Sequence, residues 1–298
     1  MGKSTFRISA FADEASPNFD EQIEALKQNR IGLIEVRGVN GKSVMDLTDE
    51  EAQEVRAKLD AAGIALSALG SPLGKIGIDD DFDEHMLKLR RAFELCRILG
   101  TDKIRMFSFY IPEGTDPASR RADVLARLEK MIAAAEKEGI LLCHENERAI
   151  YGEQDDKCVD LMEQFYPRMK NVFDPANYVV AKVVPAKAFP SLMQYTQYMH
   201  IKDAVLEDGA IVPSGAGDGG IKEILGQIGA YREDTILTVE PHLTAFTGLN
   251  KLQHEGLKHK FSYPDSKASF KAACDALKGV LTELGYTEDV TRMGVWTK

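Results

Sequence analysis

The 298-residue chain is poor in cysteine, and its four thiols, Cys96, Cys143, Cys158 and Cys274, are widely spaced with no CxxC pair. Neither a zinc knuckle nor a dithiol redox motif is therefore written here, and reduced thiols are expected. Cys96 falls on the apolar face of a helical pattern and Cys143 in a strand pattern, where a small buried hydrophobe is usual. No apolar run reaches the roughly 18 residues of a membrane span, and no basic start with an apolar segment and cleavage site opens the chain, so a cytoplasmic location is the default expectation. Positive charge is also short. Lys and Arg number 37 against 47 Asp and Glu, for a net charge of −10, which opposes a surface that binds a phosphate backbone. No Pro/Gly/Ser-rich linker divides the chain, and one domain over residues 1–298 is expected.

What is present is alternation. Short β-rich runs near 6–11, 33–37, 64–69, 103–109, 140–146, 171–174, 197–202 and 235–241 alternate with amphipathic segments near 17–29, 49–62, 82–99, 117–138, 155–167, 187–194, 219–229 and 266–284. This order implies a parallel sheet with helices outside it. Gly63, Gly100 and Gly139 each follow a helical pattern, where a left-handed residue stops a helix, and Thr48-Asp49-Glu50-Glu51 offers a capping box. An open doubly wound sheet would carry a Gly-rich phosphate turn after its first strand, but that turn reads Phe11-Ala12-Asp13-Glu14. The stretch Gly215-Ala216-Gly217-Asp218-Gly219-Gly220 follows the seventh strand with no dinucleotide spacing, and reads as a loop with close backbone approaches. Eight strands alternating with eight helices favour a single (β/α)8 barrel, a fold that commonly runs about 250 residues undivided.

In such a barrel the site forms at the C-terminal strand ends. Strand five ends Cys143-His144-Glu145-Asn146-Glu147, strand six Phe173-Asp174-Pro175-Ala176-Asn177, strand seven Met199-His200-Ile201-Lys202-Asp203 and strand eight Val239-Glu240-Pro241-His242. Taken singly, each polar end has a bland reading as a helix cap or ion pair. Together, three carboxylates and an imidazole converging on a partly buried mouth repel and are desolvated, and a divalent cation relieves both. Mixed carboxylate and imidazole ligation suits Mn, Mg or Co, and zinc also fits.

These four strand ends, with the HIKD and FDPAN sequences, resemble the xylose isomerase-like TIM barrels, the sugar phosphate isomerase and epimerase superfamily, over almost the whole chain. The resemblance implies one divalent metal held by Glu145, Asp174, His200 and Glu240. It further implies that Glu145 and Glu240 are the acid/base pair, exchanging a proton next to a carbonyl through a metal-stabilised enediolate. The substrate is then a small sugar, polyol or sugar derivative, and the enzyme an isomerase or epimerase. Other members dehydrate inososes or dehydroshikimate, so a lyase, including one that cleaves a keto-glycoside, is the nearest alternative. A non-catalytic sugar-binding or partner subunit is the alternative from another class. The abasic-site endonucleases of the superfamily use a trinuclear zinc cluster, for which six histidines and an acidic chain are a poor match.

Lys202 and His242 stand two residues beyond a ligand, on the same strand face, and are candidate substrate contacts. Arg37 in Ile34-Glu35-Val36-Arg37 is a candidate for gripping a carboxylate or phosphate, set against a structural ion pair within the carboxylate ring, the reading favoured here. Asn177 stands where many sugar-epimerising relatives have His. It can hydrogen-bond a substrate hydroxyl but cannot titrate, so the epimerase mechanism does not transfer unchanged. His144 should face away from the site as a core histidine, and Glu147 either orients a ligand or faces solvent. The segment 246–265, with His254 and His259, reads as a lid or a subunit contact of a homo-oligomer. Asp79-Asp80-Asp81 reads as a solvated turn at a helix start.

Overall fold

A computed structural model describes residues 4–244 and 260–298. Eight strands run parallel around a barrel: β1 (Thr5–Ala10), β2 (Leu33–Val36), β3 (Ala65–Gly70), β4 (Lys103–Met106), β5 (Leu141–Glu145), β6 (Met169–Phe173), β7 (Thr196–Ile201) and β8 (Asp234–Val239). Each neighbour pair from β2 through β8 to β1 is hydrogen-bonded, with register shifts at Ile34/Glu35 in β2 and at Asn171/Val172 in β6. The helices between them are α1 (Phe19–Gln28), α2 (Asp49–Ala62), α3 (Phe82–Leu99), α4 (Arg121–Lys137), α5 (Asp155–Phe165), α6 (Pro175–Val180), α7 (Pro185–Leu192) and α8 (Ile221–Tyr231), followed by Ser266–Glu283. The fold is the (β/α)8 barrel expected from the alternation.

Local chemistry sets the element ends. Thr48 and Glu51 form the reciprocal capping box of α2, and Gly63 closes that helix at φ 69°. Asp81 accepts from the backbone of Asp83 and Glu84 to start α3, Asp80 accepts from Gly77 N and Asp79 pairs with Arg120, so the acidic run is a capped turn. All four cysteines are free and buried. No helix among the described residues is long and apolar enough to cross a membrane.

Two features depart from the alternation. Asp174 caps a short helix, α6, that the sequence pattern did not mark, with Pro175 at its first position. At the seam between β1 and β2, the last strand, β9 (Val295–Thr297), pairs antiparallel with β1. A Cβ on Gly32 would lie 2.6 Å from the Met293 carbonyl oxygen, so the chain end can enter the seam only past a glycine.

Most apolar side chains fill the layer between strands and helices, and a smaller cluster of Ala68, Cys143, Val172 and Tyr198 packs apart from it. Tyr198 and His200 share one face of β7, which puts the apolar cluster on the same side of the strands as the functional groups. The mouth loops are tied down. His85 on α3 accepts a hydrogen bond at Nε2 from Gly74 N (3.0 Å), which requires that nitrogen to be unprotonated, and burial pushes its pKa down from 6.5 to about 4. The folded pKa lies below the unfolded one, so this contribution is fully present above pH 6.5 and is lost as pH falls towards 4. At roughly 1.4 kcal/mol per pKa unit it amounts to about 3 kcal/mol. We expect His85→Gln to flatten the acid limb of a Tm-versus-pH curve between pH 6.5 and 4; an unchanged limb would remove His85 from the acid response.

Candidate metal and proton-transfer site

Strand alternation aims Glu145 (β5), His200 (β7) and Glu240 (just after β8) inward, and Asp174 ends β6 beside them. All four side chains are buried, and their donor atoms lie within 4.8 Å of one another. His200 Nδ1 is 3.0 Å from Glu145 Oε1 and 3.5 Å from Glu240 Oε2. Lys202 Nζ stands 3.0 Å from both Asp174 Oδ2 and Glu240 Oε2, so a cation already rests between two of the carboxylates. The structure thus brings together all four residues singled out at the strand ends, and Lys202 with them.

These residues fit a divalent cation by their donor chemistry. Asp174 Oδ2 is fully buried and receives no well-directed hydrogen bond, which leaves a lone pair available to an ion. Among the described residues, the six carboxylates of Asp13, Glu14, Glu35, Glu145, Asp174 and Glu240 outnumber the fixed cations of Arg37, Arg105 and Lys202, even with the imidazole of His200 set among them. A divalent ion would offset most of that excess. Burial pushes the Asp174 carboxyl up, only partly opposed by Lys202, to about 7. For Glu145 burial acts in the same sense, but His200 and then Arg105 outweigh it and hold the carboxyl at about 2. Glu240 is likewise held well below the usual carboxylate range, because Lys202, His242, His200 and Arg37 together overcome its burial.

The surrounding groups fall into two sets. On the β8 side, Arg37 binds Asp13 (Nε to Oδ2, 3.0 Å), Glu14 (3.2 Å) and Glu240 Oε1 (2.9 Å), which is the ion-pair arrangement set against a substrate contact above. Glu14, Glu240 and His242 also bring donor atoms within 4.8 Å, but the Arg37 guanidinium bonds both carboxylates of that group. Glu14 Oε2 accepts from His242 N at 2.6 Å, holding a non-glycine residue at φ 45° directly after the Glu240-Pro241 step. Burial lifts the Glu14 carboxyl to about 8 against the pull of Arg37. On the β5 side, Asn177 Nδ2 donates to Glu145 Oε1 (3.3 Å) and to Asn146 O (2.9 Å), while Asn146 brackets the Asp174 backbone. Asn177 therefore touches a ring carboxylate.

Other residues lie as follows. His144 faces away, with Nε2 2.9 Å from Ser108 Oγ, and burial lowers its pKa to about 4. Glu147 pairs with Lys75 (2.8 Å). Asp203 accepts from the backbone N–H groups of Ala204, Gly215, Gly217 and Gly219, and a Cβ on Gly217 would lie 2.4 Å from its Oδ1, which explains the glycine-rich loop. Residues 246–259 of the proposed lid, including His254 and His259, lie outside the described residues.

Glu14, Glu35 and Arg105 were missed as site residues in the sequence. Glu35 and Arg105 are charged residues in the middle of buried strands; strand period two puts Glu35 on the same face as Arg37, a signal that was available. Glu14 lies in a 3-10 turn, where no period applies.

A family model described as xylose isomerase-like TIM barrel matches residues 23–276. Solved structures share the fold at low identity. The probable 3-DHS dehydratase AsbF, involved in petrobactin synthesis, from Bacillus anthracis is 15% identical with a TM-score of 0.70, covering 91% of this chain and 98% of that one. D-psicose 3-epimerase with D-tagatose from Clostridium cellulolyticum H10 is 15% identical with a TM-score of 0.66, over 93% and 99%. A xylose isomerase-like TIM barrel protein from Mycobacterium smegmatis in complex with magnesium is 15% identical with a TM-score of 0.64, over 94% and 97%. No curated protein matches the chain in sequence.

Proposed function

Because the chain belongs to the xylose isomerase-like TIM barrel family, we propose that it is a divalent-metal-dependent isomerase or epimerase that moves a proton next to the carbonyl of a small sugar or sugar derivative. The observation that carries this reading is the buried group of Glu145, Asp174, His200 and Glu240, whose donor atoms converge within 4.8 Å at the barrel mouth. When bound, the ion supplies a Lewis acid that draws electron density from adjacent substrate oxygens and so acidifies the neighbouring C–H. Mn, Mg and Co all suit these donors, and Zn fits as well.

The protein's own groups do the rest. Glu145 and Glu240 reach the ring from strands three apart and act as the proton-transfer pair, one removing a proton from carbon and the other returning one. Both are held ionised at neutral pH, so the one that takes the proton from carbon is ready, and its partner takes up a proton from solvent before returning one. Lys202 Nζ, poised over Asp174 and Glu240, donates to a substrate oxygen, with His242 3.4 Å from Glu240 and Asn177 3.3 Å from Glu145 at the edge of the same group. Arg37 fixes Glu240 from behind through Oε1, leaving Oε2 towards Lys202.

One observation favours a second reading, a dehydratase or other lyase. Elimination needs an acid beside the leaving oxygen, and Lys202 puts an ammonium inside the carboxylate group, where epimerisation by two glutamates needs none. NMR-detected uptake of deuterium from D2O into a panel of ketoses, inososes and keto-glycosides separates the two. Exchange with retention of the carbon skeleton and oxygens supports the isomerase, exchange followed by loss of water or of an aglycone supports the lyase, and no exchange with any metal loaded rejects both.

A further inference from the structure

We propose that Glu35, buried beneath the carboxylate group, is a positioning residue that makes Nδ1 of His200 the metal-facing nitrogen. This rests on the reading that the group holds a metal. Histidine offers two ring nitrogens, and its other N–H partner decides which one a metal receives. His200 is fully buried, with Nε2 3.1 Å from Glu35 Oε2 and Nδ1 turned towards Glu145 and Glu240. Nδ1 also faces a carboxylate, Glu145 Oε1 at 3.0 Å, but on the side of the proposed ligands, so with an ion there the one ring proton would stay on Nε2 against Glu35 and leave the Nδ1 lone pair for the ion.

Glu35 is itself held rigidly. Tyr198 OH donates to Oε1 at 3.0 Å, and Arg105 Nε stands 3.9 Å from the same oxygen while lying 3.4 Å from Glu145 Oε2. The β2–β3 register shifts between Ile34 and Glu35, and such an irregularity re-aims a side chain. Phe11 meets the His200 ring edge-on with centroids 5.1 Å apart, and Tyr198 lies against it at 5.6 Å, so the ring is packed between two aromatic side chains. Glu35 and Arg105 thus form a layer under the proposed ligands, contributed by β2 and β4, strands that supply none of the four.

The test is Mn(II) binding, followed by EPR of the free ion, together with electron spin-echo detection of nitrogen coupling to the bound ion. Glu35→Gln keeps the size and the acceptor for Tyr198, but its amide can donate to Nε2 and so place the proton on Nδ1. The expected result is a roughly 10–100-fold loss of Mn(II) affinity with loss of the nitrogen coupling, and recovery of both in Glu35→Asp. If Glu35→Gln fails to fold, Tyr198→Phe removes one of the bonds that hold Glu35 and should weaken Mn(II) binding several-fold with a diminished coupling. Wild-type affinity and coupling in the variant that folds would overturn the assignment. Wild-type protein that binds no Mn(II) would instead overturn the metal reading on which it rests.

Discussion

Glu240→Gln is expected to reduce proton exchange into the substrate by about 10²–10⁴-fold, the range in which a positioned acid or base contributes. The amide keeps the side chain's length and its bond from Arg37 Nη1 at Oε1, so the β8 end should stay folded. What it loses is the ability to take a proton, and one negative charge that faces His200 and Lys202. Glu145→Gln should have an effect of similar size, since the two carboxylates act as a pair. Their partners differ, however: Glu145 faces His200, Asn177 Nδ2 and Arg105, whereas Glu240 is held by Arg37 and Lys202. Solvent exchange measured on each variant with the metal saturating reads the proton step alone. A variant with undiminished exchange would exclude that residue from proton transfer.

The second large effect is on metal affinity. Asp174→Asn is the informative change, because Asp174 Oδ1 also accepts from Asn177 N as the cap of α6, and an asparagine keeps that cap. Replacing a carboxylate ligand should cost more than the roughly 100-fold that losing an outer partner costs. The charge left behind argues the same way, since Lys202 would then face Glu240 alone among the ring carboxylates it touches. Metal binding should also be pH-dependent with a definite sign. Burial holds the Asp174 carboxyl at about 7. His200 is drawn well above its usual value, because Glu145 and Glu35 outweigh its burial. Both groups must lose a proton to act as ligands, so affinity should rise as pH rises through neutrality and fall in acid. Titration with Mn(II) between pH 5.5 and 8 measures this directly, and a flat profile would mean that neither group is a ligand.

Much of this architecture was legible in the sequence because it is periodic. The limits of α2 and α3 coincide with the pattern read for them, and the eight strand runs fall within a few residues of the observed strands. The four strand-end residues could be picked out because each closes an apolar run with a charge. Elements of two or three residues carry no period, so the pair Gly38–Val39 and Lys42–Ser43 and the seam strand β9 went unread. The α6 helix was hidden by its own cap: Asp174-Pro175 looked like a strand end, although proline just after a capping aspartate is also a helix start. The buried layer of Glu35 and Arg105 escaped for a different reason. A charged residue in mid-strand is usually solvent-facing, and the pairing across the barrel is what shows that Arg105 stands against both Glu35 and Glu145.

The measurement that bears most directly on the central claim is the metal stoichiometry of the purified protein after loading with Mn, Mg, Co or Zn, compared with the Asp174→Asn variant. One equivalent of divalent ion per chain, removed by chelation and lost in the variant, is the predicted result. No bound ion under any loading condition, or full binding that survives Asp174→Asn, would contradict it.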